Sequence, residues 1–249
     1  MTAPLGIIGS GAIGSTLARL ALAAGQDVLL ANSRGPESLT ELIEQLGPRA
    51  RAATVTEVAE TADVVITAIP LIAHIDLPVE ALAGKLVLDT TNYYPQRDGQ
   101  IAVLDSNEST ASELVQAHLS ESFVVKAFNN ITFASLGNGA RPAGDPERNT
   151  LPIAGEDAAA KARAAAVLDT LGYDALDYGG LAGSWRSEPG TPIYCDPYMP
   201  AWPTGKLPFD ELLAWLLAAP VITMPKERAE GLLASAERGA AGGYFPETA

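Results

Sequence analysis

The stretch GSGAIGSTLARLALAAGQDVLLANSRG, residues 9–35, decides the fold of this chain. It opens on Gly9-Ser10-Gly11-Ala12-Ile13-Gly14, which matches the pattern GxGxxG between a short apolar run and an Ala/Leu-rich helical segment. In this motif the first glycine permits a tight turn, the second lets the backbone approach a pyrophosphate, and the third allows the helix to pack closely on the strand. The helix N-terminus adds amide groups and a partial positive charge. The stretch predicts a strand–loop–helix–strand unit that binds a dinucleotide; a purely structural glycine turn is the alternative.

The end of the second predicted strand indicates which dinucleotide binds. It reads Asn32-Ser33-Arg34, where proteins that bind NAD usually carry an acidic residue for the ribose 2′-hydroxyl. NADP carries a 2′-phosphate instead, which a carboxylate would repel. Ser33 can donate a hydrogen bond to that phosphate, and Arg34 can bind it through charge-assisted hydrogen bonds. We therefore predict that these three residues bind NADP(H); the alternative is a polar turn with a solvated arginine.

Strand-like and helix-like segments alternate over the first two-thirds of the chain. Strands are predicted at 5–8, 27–31, 64–69, 86–89, 123–126 and 150–154, and helices at 13–24, 37–47, 55–61, 109–119, 158–171, 208–219 and 225–239. The runs VVITAI and KLVLD are continuously apolar, as in parallel strands that are covered on both faces. The alternation predicts an α/β fold, a Rossmann-type doubly wound parallel sheet with a small, mainly helical and loop C-terminal segment. We place the NADP-binding domain at 1–180 and an acceptor-site or dimerisation segment at 181–249.

Composition excludes several classes of partner. The 249 residues carry a formal net charge of −14, and nucleic acids and anionic membranes both require a basic surface. A single cysteine, Cys195, excludes an internal disulfide, and with only two histidines we expect no metal site. No apolar run approaches the roughly 20 residues that span a bilayer, and the N-terminus lacks the pattern of a signal peptide. We expect a cytoplasmic protein that binds neither nucleic acid nor membrane.

Two predicted strands end in residues that suit a ligand cleft. Ala68, Ile69 and Pro70 close one of them, and Asn92 follows the next. Ligands of open parallel sheets bind outside the carboxyl ends of the strands. We predict that these four residues line the cofactor cleft; capping of loops is the alternative.

Later blocks of the sequence carry a family resemblance. These blocks are KLVLDTTN (85–92), SNESTASELVQAH (106–118), FVVKAFNNI (123–131) and TLPIAGEDAAAKARAAAVLDTLGYDALDYGGL (150–181). In this order they resemble the coenzyme F-420-dependent NADP reductases and the related NADPH-binding cytosolic domain of the six-transmembrane (STEAP) metalloreductases. The most specific block is VKAFNN at 125–130, followed by PIAGED at 152–157. The resemblance covers about residues 4–190.

The resemblance implies NADP(H) in the glycine loop and a planar acceptor stacked on its nicotinamide, either the deazaflavin coenzyme F-420 or a flavin such as FMN or FAD. It places Lys126, Ala127 and Asn129 near the rings, with Lys126 and Asn129 as the candidate catalytic residues. Carried over loosely, four further residues help to wall the acceptor site: Gly180, Leu181, Arg186 and Glu188. Hydride transfer depends mainly on proximity and exclusion of water, so we assign no acid or base. For Lys126, a snorkelling lysine or a structural ion pair is the alternative.

These observations favour an NADP(H)-dependent oxidoreductase with a small-molecule redox acceptor. A reductase of a small carbonyl or imine and a non-catalytic NADP-binding sensor are the alternatives. Six aromatic residues could stack on a ring but also suit core and interface packing: Tyr93, Tyr94, Trp185, Tyr194, Tyr198 and Trp202. The apolar segment PFDELLAWLLAA (208–219) suits packing on a second subunit, so we predict a homodimer.

Overall fold

The computed structural model describes residues 3–204 and 207–243. Parts of the predicted C-terminal segment, 205–206 and 244–249, lie outside the described residues. Eight strands form the sheet: β1 (Leu5–Ile8), β2 (Val28–Ala31), β3 (Ala50–Ala52), β4 (Val64–Thr67), β5 (Leu86–Asp89), β6 (Phe123–Lys126), β7 (Thr150–Gly155) and β8 (Asp174–Asp177). Their order across the sheet is β3-β2-β1-β4-β5-β6-β7-β8. The Rossmann-type α/β fold predicted from the sequence is confirmed.

Helices connect the strands and cover both faces of the sheet. They are α1 (Ala12–Ala23), α2 (Thr40–Leu46), α3 (Val55–Thr61), α4 (Val79–Leu82), α5 (Pro95–Asp98), α6 (Ala102–Asp105), α7 (Ala111–His118), α8 (Phe133–Asn138), α9 (Ala158–Thr170), α10 (Phe209–Ala218) and α11 (Lys226–Ala234). Helices α1 and α9 bury Leu17 and Leu168 in one core cluster, and α3 and α7 bury Val58 and Val115 in the other. None of the helices in the described ranges combines the length and the hydropathy that a membrane span requires.

The order of strands reverses beside β1, since β2 pairs with one side of β1 and β4 with the other. In doubly wound sheets such a reversal opens a crevice at the carboxyl ends of the strands. The glycine loop follows β1 directly, so it lies at this crevice. The fold thereby brings the loop next to the ends of β4 and β5, which lie on the same edge of the sheet.

Two strands, β7 and β8, run opposite to the other six and so depart from the parallel sheet that we predicted. Strand β7 is antiparallel to β6, with Val125 opposite Gly155 and Lys126 opposite Ala154, while β8 is parallel to β7. The only helix between β6 and β7, α8, has six residues and packs beside α1. The connection from β6 to β7 stays at the carboxyl edge of the sheet and does not return to the amino edge. Strand β7 therefore starts at the carboxyl edge and runs in the opposite direction to β6. Strand β7 thus begins beyond the end of β6.

The segment after β8 folds back onto the domain. The amide of Thr150 donates to the carbonyl oxygen of Met224 (2.8 Å), and the amide of Met224 donates to Asn149 Oδ1 (2.8 Å). Helix α11 buries Ala229 and Leu233 against β7 and β8. Helix α10 buries none of its residues. The C-terminal segment is therefore tied to the sheet at α11 and leaves α10 at the surface.

Candidate functional site

A cleft of about 740 Å³ lies at the carboxyl edge of the sheet. Its lining comes from the glycine loop, the ends of β4 and β5, the loop after β6, α8 and the C-terminal segment. The volume falls within the range of roughly 300–1,000 Å³ that small-molecule sites occupy.

The three glycines of the motif serve different purposes. Gly9 has φ +117°, and a Cβ there would lie 2.1 Å from the carbonyl oxygen of Ala68; a Cβ at Gly14 would lie 1.9 Å from the carbonyl oxygen of Gly9. A Cβ at Gly11 would meet no atom within 4 Å. Gly9 and Gly14 are thus required by the fold itself, whereas Gly11 leaves space open beside the cleft. Gly11, Ala12 and Ile13 line that space.

The N-terminus of α1 suits an anion. Gly11 is its N-cap, no side chain caps the helix, and its first turn contains no acidic residue. The first amides of a helix have no intrahelical acceptor and carry a partial positive charge. Together with the space at Gly11, this cradle fits the pyrophosphate of a dinucleotide.

Asn32 orders the turn after β2. Its Nδ2 donates to Ser10 Oγ (3.1 Å) and Ser38 Oγ (2.9 Å), and its Oδ1 accepts from the amide of Arg34 (2.9 Å). Ser33 and Arg34 are exposed, and within the described part of the chain the Arg34 guanidinium forms no ion pair. The carboxamide of Asn32 therefore holds the turn, and Ser33 and Arg34 are the side chains available to a phosphate.

The strand ends meet in the cleft as the sequence indicates. Ala68, Ile69, Pro70 and Asn92 all line it. Asn92 Nδ2 donates to the carbonyl oxygen of Asn129 (2.8 Å), and Asn129 Nδ2 donates to Asn92 Oδ1 (3.1 Å). This reciprocal pair joins the chain after β5 to the chain after β6.

Asn129 also reaches the C-terminal segment, because its Nδ2 donates to the carbonyl oxygen of Ser187 (2.7 Å). The preceding residue, Phe128, has φ +59° and lines the cleft. A left-handed backbone is costly for a bulky residue and often occurs at functional sites. Here it turns the chain sharply after β6 and so places Asn129 at the cleft.

Lys126 and Ala127 do not line the cleft. Ala127 is fully buried in the core. Lys126 is 1 % exposed, its Nζ donates to the carbonyl oxygen of Thr91 and to Ser112 Oγ (both 3.0 Å), and it lies 3.3 Å from Glu188 Oε1. The structure therefore places the Lys126 amine in a buried ion pair behind the cleft wall. The amine itself is not part of the surface that lines the cleft. The same Glu188 oxygen accepts from the amide of Ala111 (3.2 Å).

The other residues carried over for the acceptor wall lie outside the lining as well. Leu181 is buried in the core, Arg186 stacks over Trp185 at 4.4 Å, and Gly180 packs against Glu156. A different part of the C-terminal segment lines the cleft: Gly190, Thr191, Tyr194, Cys195, Asp196, Trp202 and Leu216. The sequence of this segment is rich in proline, glycine and aromatic residues, which indicates an ordered loop. No pattern in that sequence indicates where the loop packs.

Two tyrosine hydroxyls and one thiol, those of Tyr94, Tyr194 and Cys195, lie in this lining. The hydroxyls of Tyr94 and Tyr194 share a hydrogen bond. Burial is the main cause that raises the pKa of Tyr94, of Tyr194 and of Cys195, the last to about 12. All three groups are therefore protonated near neutral pH.

Comparisons with known proteins agree with this geometry. Residues 4–93 match the family model described as "NADP oxidoreductase coenzyme F420-dependent". No curated protein matches the chain. Among solved structures, a hypothetical protein from Sinorhizobium meliloti is 30% identical with a TM-score of 0.68, and the match covers 78% of this chain and 93% of that protein.

Two further structures extend the comparison. A protein from Arthrobacter sp. FB24, described as a candidate F420-dependent NADP reductase, is 25% identical with a TM-score of 0.63, over 73% of this chain and 87% of that one. An imine reductase from Aspergillus terreus is 22% identical with a TM-score of 0.51, over 74% and 57% of the two chains, and shares the fold alone. On the family match and the likeness to the first two structures, this chain is an NADP-dependent oxidoreductase and belongs to the family of coenzyme F420-dependent NADP oxidoreductases.

Proposed function

We propose that this chain transfers hydride between NADPH and a planar ring, a deazaflavin such as coenzyme F-420 or a flavin. One observation carries the proposal: a single cleft contains both the glycine loop and a wall from the C-terminal segment that includes the aromatic residues Tyr194 and Trp202. A dinucleotide and a second ring can therefore lie beside each other without a change of fold. Proximity of this kind accounts for most of the rate of a hydride transfer.

The chain's residues divide between holding the dinucleotide and excluding water. The N-terminus of α1 would hold the pyrophosphate, and Arg34 would bind the 2′-phosphate. Ile13, Ile69 and Phe128 provide apolar lining. Bound NADPH supplies two electrons and a proton as hydride, and the reduced ring takes up one further proton. Since a heteroaromatic ring exposed at the mouth of a cleft can take that proton from water, no residue need supply it.

The lining also bears on the alternative of carbonyl or imine reduction. Among the described residues that line the cleft there is no histidine, lysine or glutamate. Carbonyl reduction benefits from a proton donor positioned at the carbonyl oxygen. The tyrosine hydroxyls of the lining, those of Tyr94 and Tyr194, share a hydrogen bond, and burial raises the pKa of both, so they are weak proton donors. This arrangement favours a ring acceptor.

Oxidation of NADPH by the pure protein tests the proposal. Coenzyme F-420, FMN, FAD and a small ketone are offered in parallel, and absorbance at 340 nm is followed. We expect NADPH oxidation with at least one ring and none with the ketone. Oxidation with the ketone alone would indicate a carbonyl reductase. Binding of NADPH without oxidation by any acceptor would indicate a sensor.

Arg34→Glu tests the assignment of the 2′-phosphate. Loss of a charge-assisted contact costs about 1.5–3 kcal/mol, so we expect KM for NADPH to rise about 10- to 100-fold and KM for NADH to change little. Arg163→Glu, the same charge change at an exposed position on α9, is the matched control and should alter neither. Equal changes of both KM values in Arg34→Glu would contradict the assignment.

A further inference from the structure

The C-terminal segment presents a fixed carboxylate to the cleft. Asp196 lines the cleft beside Trp202, and Trp202 Nε1 donates to Asp196 Oδ1 (2.8 Å). The Trp202 ring packs on Trp215, with centroids 5.5 Å apart, yet 44% of Trp202 stays exposed. The indole therefore holds the carboxylate in place while part of its own surface stays available to a ligand.

Among the residues that the structure describes, the positive charge in the lining is already balanced. Arg97 lines the cleft, but its Nε and Nη2 donate to the two carboxylate oxygens of Asp98 (both 2.9 Å). The Asp98 side chain is fully buried. Asp196 forms no ion pair with any cation of the described residues. Over the described lining, the charges of Arg97 and Asp98 cancel, and the carboxylate of Asp196 is left.

We propose that Trp202 and Asp196 form an acceptor subsite that selects planar rings without an anionic tail. The indole face of Trp202 stacks on the ring, since such faces pair with flat aromatic groups. The Asp196 carboxylate repels a phosphate or carboxylate attached to that ring. The substrate class is thus a neutral flavin or deazaflavin, which takes hydride from NADPH and one proton from water. This inference rests on the proposed function and narrows its substrate.

The comparison of riboflavin with FMN tests the charge selection, because the two share one ring and differ by a phosphate. With saturating NADPH, we expect kcat/KM for riboflavin to exceed that for FMN by about tenfold in the wild-type protein at low salt. In Asp196→Asn, which keeps an oxygen for Trp202 Nε1, the ratio should fall toward one. The deazaflavin ring with and without its anionic tail should behave in the same way.

The dependence of the riboflavin preference on salt distinguishes charge repulsion by Asp196 from a purely structural role of that residue. Repulsion between exposed charges is screened as ionic strength rises, so the preference for riboflavin should shrink with added salt in the wild type and not in Asp196→Asn. The control Glu60→Gln, at an exposed position on α3, should retain both the preference and its salt dependence. A preference for FMN, or a ratio that Asp196→Asn leaves unchanged, would overturn the inference.

Fluorescence tests the stacking without turnover. The chain has three tryptophans, and riboflavin stacked on Trp202 should quench part of their emission. Trp202→Phe should remove most of this quenching and weaken binding, whereas Trp185→Phe should remove neither. Equal quenching in wild type and Trp202→Phe would refute the stacking. If neither riboflavin nor any other ring oxidises NADPH or quenches emission, the proposed function itself fails; if FMN reacts better than riboflavin, the function stands and only the subsite is refuted.

Discussion

Gly14 occupies a position where one added carbon would lie 1.9 Å from the carbonyl oxygen of Gly9, whereas the same carbon at Gly11 would meet nothing within 4 Å. The backbone of Gly11 has φ −71° and ψ −170°, which alanine also adopts. The two positions therefore separate two reasons for a glycine. The third glycine packs helix on strand, and the second leaves room for a ligand.

This difference leads to a prediction at the residue scale. Gly14→Ala forces the helix away from the loop, and overpacking of this kind costs about 1–3 kcal/mol or more, so we expect a markedly lower Tm. Gly11→Ala should unfold at the wild-type temperature but bind NADPH at least about tenfold more weakly, because its methyl group fills the space for the pyrophosphate. Thermal unfolding and calorimetric titration of both variants check this. A stable Gly14→Ala, or a Gly11→Ala with unchanged NADPH affinity, would contradict it.

At the scale of elements, the strands predicted from continuous apolar runs are present, with β1, β5 and β6 at the predicted bounds. Strands β3 (Ala50–Ala52) and β8 (Asp174–Asp177) were missed because they are short and partly exposed and contain charged residues. Both lie at the ends of the sheet, where one side of a strand has no neighbour and less apolar surface is needed. Local pattern also carries no information on strand direction, which is set for β7 by the path of its connection.

Prediction of the site from the sequence is limited in the same way, since local patterns do not reveal contacts between distant residues. The glycine loop and the strand ends were predictable because each is a local motif whose position follows from the topology of the sheet. Lys126 was predicted near the rings, but its surroundings depend on Glu188, which is 62 residues away in the sequence. A contact between such distant residues cannot be derived from local pattern. The position of Trp202 and Asp196 in the cleft also depends on residues that are far away in the sequence, such as Gly11 and Pro70.

The Lys126–Glu188 ion pair joins β6 to the segment that precedes the acceptor wall. Gly190 and Thr191, which follow Glu188 closely, line the cleft, so we predict that this pair positions the wall. Lys126→Met leaves Glu188 buried without its partner, a change that costs about 3–5 kcal/mol. We expect KM for the ring acceptor to rise several-fold while Kd for NADPH stays near the wild-type value.

Two further variants make this test specific. Lys161→Met removes the ion pair between α9 and Asp177 (2.8 Å), which lies away from the cleft lining, and should leave KM for the acceptor unchanged. Lys126→Met combined with Glu188→Gln removes the unpaired charge and should recover part of the stability. If Lys126→Met raises Kd for NADPH as much as KM for the acceptor, the pair does not act through the wall.

At the scale of the whole molecule, the sheet and the C-terminal segment build one cleft together. The division at residue 180 and the homodimer both remain predictions. Helix α10 is relevant to the homodimer, because its apolar residues Phe209 and Leu217 are 55% and 51% exposed. If a second copy covers this helix, Leu217→Lys should shift the protein from dimer to monomer in sedimentation experiments. A monomeric wild type would contradict the prediction.

Acid–base groups buried across the molecule predict how its stability depends on pH. Burial raises the pKa of the Cys195 thiol to about 12 and also raises the pKa values of Tyr173, Tyr178 and Tyr198. Above about pH 9 the unfolded chain loses these protons first, so it binds fewer protons than the folded protein. The free energy of unfolding must then fall as pH rises, by up to about 1.4 kcal/mol per pH unit for each such group.

Below about pH 8 both states keep these protons, and the four groups contribute no dependence on pH. We therefore expect denaturant unfolding at pH 7, 8, 9 and 10 to show two regimes. Up to about pH 8 these groups should not change the free energy of unfolding, and above about pH 8 they should lower it. Cys195→Ala removes one of the four and should make the decline between pH 9 and 10 less steep, although its stability at pH 7 can differ. Free energy that rises between pH 8 and 10, or an equally steep decline in Cys195→Ala, would show that the thiol does not retain its proton on folding.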